Sequence, residues 1–376
     1  MLFAISLCLL LVGIAPADSL SVRLLGHCAT PGYSSGVAVI GDHAYVTDLG
    51  SGLLVISVAD PANPIEVGRV DTPGSASDVA VSGSYACVAD GSSGLRVVLV
   101  ADPNNPSEVG YYDTPGWACD VAVSGTYAYV ADNSGLRVIS ISDPAHPVEI
   151  GYCATPGRAC AVAVSGNCAY VGAESAGLRV ISVSDPTHPV EVGHVETPDW
   201  ACGVDVKDDY VYIADYYADL VIVSVADPSD PTVVATLGTP GDAGAVAVRG
   251  GYAYLVASAW LGVISIADPG NPVIAGYYFP PALGYGVTAA GDKIYVADGD
   301  SGLMVYQFYG GGVEESPQPQ APTRKPSATV IRSLPPGAVA FDAMGRRVAN
   351  PRSGVYFVTE DGARGTVHAR KVVIQW

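Results

Sequence analysis

Six Asp-Pro pairs, beginning at Asp60, Asp102, Asp143, Asp185, Asp227 and Asp268, return at intervals of 42, 41, 42, 42 and 41 residues. Each interval holds the same parts in the same order: a tyrosine-rich segment ending near Ala-Asp, a Gly-Leu step, an apolar segment and the Asp-Pro turn. A period near 40 built from four short β-patterned segments predicts a propeller, because one such unit cannot bury both faces of its own sheet until neighbours stack on it. The expectation is therefore an all-β chain: a seven-bladed β-propeller closed by its N-terminal strand, followed by a small C-terminal β-sandwich.

The third unit shows the grammar. An inner strand is expected at Asp120-Val121-Ala122-Val123, a turn at Ser124-Gly125, a second strand over Tyr127-Ala128-Tyr129-Val130-Ala131 and a third over Leu136 to Ser142. After Asp143-Pro144-Ala145-His146-Pro147 comes an outer strand, Val148 to Tyr152, and Thr155-Pro156-Gly157 leads into the next unit. Ser-Gly suits a tight hairpin, proline lacks the amide a ladder needs, and Asp before Pro favours a side-chain-capped turn. Inner strands are expected to begin at Gly36, Asp78, Asp120, Ala161, Gly203, Ala245 and Gly286. The last unit lacks the Asp-Pro turn and an outer strand. The segment Val22 to His27 with Thr30-Pro31-Gly32 aligns with Ile65 to Val70 and Thr72-Pro73-Gly74, so it is expected to complete blade 7 and remove an exposed edge.

The two ends read differently. Leu2 to Ile14 form a short apolar run before Ala15-Pro16-Ala17, which reads as a signal peptide over residues 1–17 removed after Ala17; an uncleaved anchor is the alternative. The mature chain is expected to have no transmembrane segment and to be secreted or held on the cell surface. Residues 18–309 form the propeller, 310–328 a Gly/Pro-rich linker and 329–376 a β-patterned tail. Residues 1–312 carry a net charge of −23 and residues 313–376 a net +4. An acidic propeller argues against nucleic acid as a partner, because such binding draws on cationic neutralisation of phosphates.

Seven cysteines follow the signal: Cys28, Cys87, Cys119, Cys153, Cys160, Cys168 and Cys202. They read first as small buried hydrophobes at blade interfaces, then as one or two disulfides in an exported protein. Neither CxxC spacing nor matching histidines support a metal site.

Two sets of recurring residues suggest a ligand rim. Asp48, Asp90, Asp132, Asp215 and Asp298 open the loop before the third strand, and Tyr33, Trp117, Arg158, Trp200 and Tyr285 precede inner strands. Together they could hold a sugar, peptide or cation; alternatively each Asp caps its own Gly-containing turn. Asp298-Gly299-Asp300-Ser301-Gly302 resembles a calcium loop, with Asp298 and Asp300 as donors, but lacks the later bidentate Glu. No cofactor and no catalytic residues are expected: the chain holds no GxSxG, HExxH or P-loop, and among its many acids nothing selects a glycosidase pair.

The third strands read LLVISVADP from Leu53, LRVVLVADP from Leu95, LRVISISDP from Leu136, LRVISVSDP from Leu178 and LVIVSVADP from Leu220. This unit resembles the LVIVD-repeat family over about residues 22–309, which implies an exported bacterial or archaeal propeller and no particular activity. The tail, at Phe341 to Val348, Ser353 to Val358 and Ala369 to Ile374, resembles the C-terminal sorting domain of the type IX secretion system. That resemblance implies passage across the outer membrane through secretion machinery that reads residues 329–376. An Ig-like adhesion module is the alternative. The expected function is non-enzymatic binding of an extracellular protein or glycan; a rim-carboxylate hydrolase or lyase and a structural envelope component are the competing readings.

Overall fold

The computed structural model describes residues 19–310 and, in the tail, residues 329–331, 339–341, 347–348, 354–361 and 367–374. The expected signal peptide and linker lie outside the described residues. No helix among the described residues is long and apolar enough to cross a membrane.

Seven antiparallel four-stranded meanders follow one another, with inner strands Ser34–Ile40, Asp78–Ser82, Asp120–Ser124, Ala161–Ser165, Ala201–Lys207, Ala243–Arg249 and Gly286–Ala290. The inner strand of blade 7 packs against that of blade 1, closing the ring. Four of the seven inner strands begin where the repeat places them. The other three begin two residues earlier, because pairing with the second strand continues across a bulge. In blade 3 the second strand is Tyr127–Ala131 as expected, whereas the third spans Asn133–Ser140 and the outer Val148–Ala159. Asn133 pairs with Ala159 and Gly135 with Ala154, so the ladder runs through residues that read as loops.

Second and third strands are buried on both faces between neighbouring blades. Tyr45, Cys87, Tyr129, Tyr170, Tyr212, Tyr254 and Tyr295 occupy one position of the second strand, all nearly solvent-free. Fully burying a Val, Leu or Ile of the third strand contributes about 1.5–3 kcal/mol, so stacking rather than any one sheet holds the ring together. Arg96, Arg137 and Arg179 are buried charges on third strands, and each meets a glutamate of its own outer strand: Glu108 at 3.8 Å, Glu149 at 3.4 Å and Glu191 at 3.3 Å.

The Asp-Pro turn packs on the preceding blade. A Cβ built on outer-strand Gly68, Gly110, Gly151 or Gly193 would lie 2.2–2.3 Å from the carbonyl oxygen of Pro103, Pro144, Pro186 or Pro228 on the next blade. Only glycine permits that approach. Blade 7 has no such turn to place on blade 6, and the chain's beginning fills the gap. Ser19–Leu20 pairs with Tyr277 and Tyr278, and the Leu20 carbonyl takes the corresponding place over Gly276. The chain then crosses to blade 7, where Val22–Cys28 pairs with Leu303–Phe308.

The tail is a separate unit beginning at Glu314. Its strands form one sheet in the order Thr329–Ile331, Val367–Ile374, Gly354–Asp361, Val339–Phe341, Arg347–Val348. The first pair is parallel and the others antiparallel. Among the described residues of the tail this is one sheet; the second sheet an expected sandwich needs is not among them.

Candidate rim site

The five loop aspartates, candidates for the ligand rim, are fully buried and turned into their own blades. Each accepts a hydrogen bond from the backbone N–H sixteen residues upstream. The donors are Gly32 to Asp48 at 2.8 Å, Gly74 to Asp90 at 2.8 Å, Gly116 to Asp132 at 3.2 Å, Asp199 to Asp215 at 2.9 Å and Ala282 to Asp298 at 3.1 Å. The carboxylate ties the lead-in of a blade to the loop of the same blade, across the sheet top. Asp90 also takes the Thr72 hydroxyl at 2.6 Å, and Asp132 takes Arg137 Nε at 2.7 Å. Burial raises the carboxyls of Asp90, Asp215 and Asp298 above the ordinary aspartate value. Asp298 Oδ2 accepts the Ala282 amide, which commits one oxygen of the expected calcium donor Asp298 to its own blade. Among the described residues no group of three or more His, Cys, Asp or Glu is arranged to hold a metal ion.

The aromatic set divides. Tyr33, Trp117, Arg158 and Trp200 hold one equivalent rim position, shared with Ser75, Asp242 and Leu283. Tyr285 lies two residues further along its blade and lines the mouth of the central channel. Blade 7 reads Phe279-Pro280-Pro281-Ala282-Leu283 where others read Thr-Pro-Gly-x, and Leu283 therefore takes the rim place expected of Tyr285. Tyr33 and Tyr285 still meet edge to face with centroids 5.0 Å apart, and burial with this contact raises the Tyr33 phenol.

A column that the repeat hides completes the rim. Leu49 follows Asp48 in blade 1; in the other six blades this place is held by Gly91, Asn133, Tyr216 or Gly299 after the buried Asp, and by Glu174 or Ser258 after the Ala173 and Ala257 that replace it. All six have positive φ. Four are not glycine, a conformation costing about 1–3 kcal/mol each. Backbone bridges from Gly91 to Ala118, Glu174 to Ala201 and Tyr216 to Ala243 hold this column against the next blade. Rim and column side chains then interleave: the Trp117 ring lies over Gly91, and Arg158 pairs with Glu174 at 2.9 Å and donates to Asn133 Oδ1 at 3.2 Å. Trp200 stacks on Tyr216 with centroids 5.9 Å apart, and Tyr216 contacts Tyr217 at 4.5 Å. The adjacent Asp242 carboxylate, hydrogen-bonded to Tyr216, raises its phenol. Trp117 is 42% exposed, Trp200 50% and Tyr217 68%. Sequence reading passed over Asn133, Glu174 and Tyr216 because their column varies; that variation beside a position that is Asp in five of the seven blades was the available signal.

Along the axis runs a channel of about 650 Å³ lined by all seven inner strands. Its mouth presents Ser35, Ser77, Cys119, Cys160, Cys202 and Tyr285. All seven described cysteines are free thiols. Deeper in, Asp120 accepts the amides of Val121 and of Val162 on the next blade, both at 2.7 Å. Asp205 likewise accepts Val206 and Val248 at 2.7 Å. These carboxylates clip inner strands together, and burial, with Asp78 beside Asp120, raises Asp120 well above its ordinary value.

Comparison with known proteins accords with this geometry. No curated protein matches the chain. Among solved structures, the computationally designed Ika8 protein is similar with a TM-score of 0.59, covering 76% of this chain and 99% of that one at 8% identity, a likeness of fold alone. The LVIVD repeat model matches residues 31–72, 73–114, 115–155, 156–197, 200–239 and 240–279. Those matches take in the first six blades; the seventh is divided between the chain's ends and has no Asp-Pro turn, which accounts for six matches in a seven-bladed ring. With most of its length covered by these repeats, the chain belongs to the LVIVD repeat family.

Proposed function

We propose that this LVIVD propeller is a non-enzymatic extracellular binding module whose ligand lies across the rim of blades 3 to 5. The observation that carries the reading is the cluster of exposed Trp117, Trp200 and Tyr217 with half-buried Tyr216 near the Arg158–Glu174 pair. Open indole and phenol faces beside hydrogen-bonding groups suit sugar rings, which stack on aromatic faces while their hydroxyls take polar partners. With a propeller net charge of −23, a neutral glycan is favoured over an anionic one.

The inward orientation of the five aspartates supports binding without turnover, since rim hydrolysis or lysis would need accessible carboxylates. Export by a type IX-like route, with residues 329–376 as the sorting domain, rests on the tail's motif order and on the N-terminal apolar run. Mass spectrometry of the protein from its host, reading both termini, tests that route; an intact N-terminus and a tail retained inside the cell would refute it.

A glycan array probed with the full chain tests the ligand. Neutral glycan binding that falls at least tenfold in Trp200→Ala and Trp117→Ala is expected, with melting unchanged. Binding that survives both substitutions, or capture of peptides alone, would move the ligand elsewhere, and turnover of a bound glycan would overturn the non-enzymatic reading.

A further inference from the structure

The repeat position at the channel mouth is occupied by cysteine in three consecutive blades, and Cys160 and Cys202 stand at the start of adjacent inner strands. Cys160 Sγ donates to the carbonyl of Ala201 at 3.0 Å, the residue immediately before Cys202. Ser35 makes the same reach in blade 1, donating to the Ala76 carbonyl at 2.7 Å, next to Ser77. In these two blades the ring position aims its side chain toward its equivalent on the following blade. Inner strands approach closely there: a Cβ built on Gly203 lies 3.1 Å from the Cα of Ala245, and one on Gly36 lies 2.8 Å from the Cα of Asp78. Cys160 and Cys202 stand one residue before the equivalent pair, Ala161 and Gly203, and a disulfide between them requires a Cα separation within ~7 Å.

We propose that Cys160 and Cys202 are a redox-active dithiol that closes into a disulfide between blades 4 and 5 by exchange with a low-molecular-weight disulfide. Both thiols are partly exposed at the open mouth. The Cys160 thiol is engaged by the Ala201 carbonyl, which leaves Cys202 the freer of the two to attack as the thiolate. Its sulfur attacks one sulfur of RSSR, forming a mixed disulfide and expelling RS⁻. Cys160 then gives up its proton, attacks Cys202 Sγ and expels the second RS⁻. The protein dithiol is oxidised by two electrons, RSSR is reduced, and the two thiol protons leave as two RSH. Cys119 takes no part: its Sγ donates to Asn133 Oδ1 at 3.1 Å within its own blade, and burial pushes its thiol up to about 11.

The test treats the full chain with 2-hydroxyethyl disulfide, alkylates remaining thiols and maps peptides by mass spectrometry. Tryptic cleavage after Arg158 separates Cys153 from Cys160, and fragmentation separates Cys160 from Cys168. The expected product joins Cys160 to Cys202, persists in Cys119→Ser, is absent from Cys202→Ser and raises the melting temperature on the order of 5 °C until reductant is added. Serine already stands at this position in blades 1 and 2, so the Cys→Ser chains are expected to melt like the parent in reductant. Stable mixed disulfides at both cysteines, free Cys160 and Cys202 after treatment, or a link to Cys119 would each overturn the proposal.

Discussion

Replacing Asp132 by alanine separates a scaffold role for the loop aspartates from a ligand role. The carboxylate is solvent-free and takes the Gly116 amide at 3.2 Å, the Ser134 amide at 3.1 Å and Arg137 Nε at 2.7 Å. Removing one member of a buried ion pair costs about 3–5 kcal/mol, because the other charge is left without its partner. Arg137 keeps Glu149 at 3.4 Å and stacks over the Tyr152 ring at 3.6 Å, which places the loss near the lower limit, about 3 kcal/mol. Unfolding entropy near 2.1 cal/mol/K per residue gives roughly 0.6 kcal/mol/K for a propeller of this length, hence a melting temperature lower by about 5 °C. Differential scanning calorimetry measures it directly. Asp102→Ala, in an exposed outer turn where the carboxylate caps Asn104 and Asn105, is the control and should shift melting less. If Asp132→Ala melts with the parent chain yet loses its glycan, the carboxylate serves the ligand and the scaffold reasoning is wrong.

Three further outcomes follow from the same geometry. Deleting residues 19–28 removes the strands that cover blade 6 and complete blade 7, and should lower melting by more than any single substitution; a deletion that melts unchanged would contradict the closure. Gly151→Ala forces a Cβ to within 2.2 Å of the Pro186 carbonyl, so the blade interface must shift at a cost of roughly 1–3 kcal/mol, visible as a lower urea midpoint at constant slope. The third concerns pH. Burial holds Asp90, Asp205, Asp215 and Asp298 above the ordinary 3.8, so the folded chain takes up these protons before the unfolded one. Their ionisation opposes folding near neutrality, and the opposition is relieved as pH falls through the raised values; melting should therefore rise as the solution is made mildly acidic. The turn aspartates Asp60, Asp102, Asp143, Asp185 and Asp227 are held low by hydrogen bonds within their turns. Their contribution is present above 3.8 and lost below it, so melting should then fall steeply. A melting temperature that declines steadily from neutral pH would refute this balance.

The ring was legible because its punctuation is chemical. Asp-Pro, Ser-Gly and the Gly-Leu step end strands for reasons that hold in every blade, and they located Tyr127–Ala131 to the residue. The closing strand was legible because it repeats the outer-strand pattern. The Ser19–Leu20 strand is too short for any pattern, and only the missing turn of blade 7 explains it. The site was less legible, and the reason is physical. A residue repeated in most loops answers a demand made in those loops, as Asp48, Asp90 and Asp132 answer an upstream amide. The rim residues Asn133, Glu174 and Tyr216 differ from blade to blade, and periodicity averages them away. Tyr285 was misplaced by one ring because a proline-rich lead-in broke the alignment that the other blades share.

The closing strand also sets an order of events. Arg23 holds Gln307 at 2.9 Å across a sequence separation of 284, so the strand Val22–Cys28 must wait for the seventh blade to leave the ribosome before it acquires a partner. Until then blades 6 and 7 both keep an open flank, and any trimming of the nascent N-terminus past Ser19 would make that condition permanent.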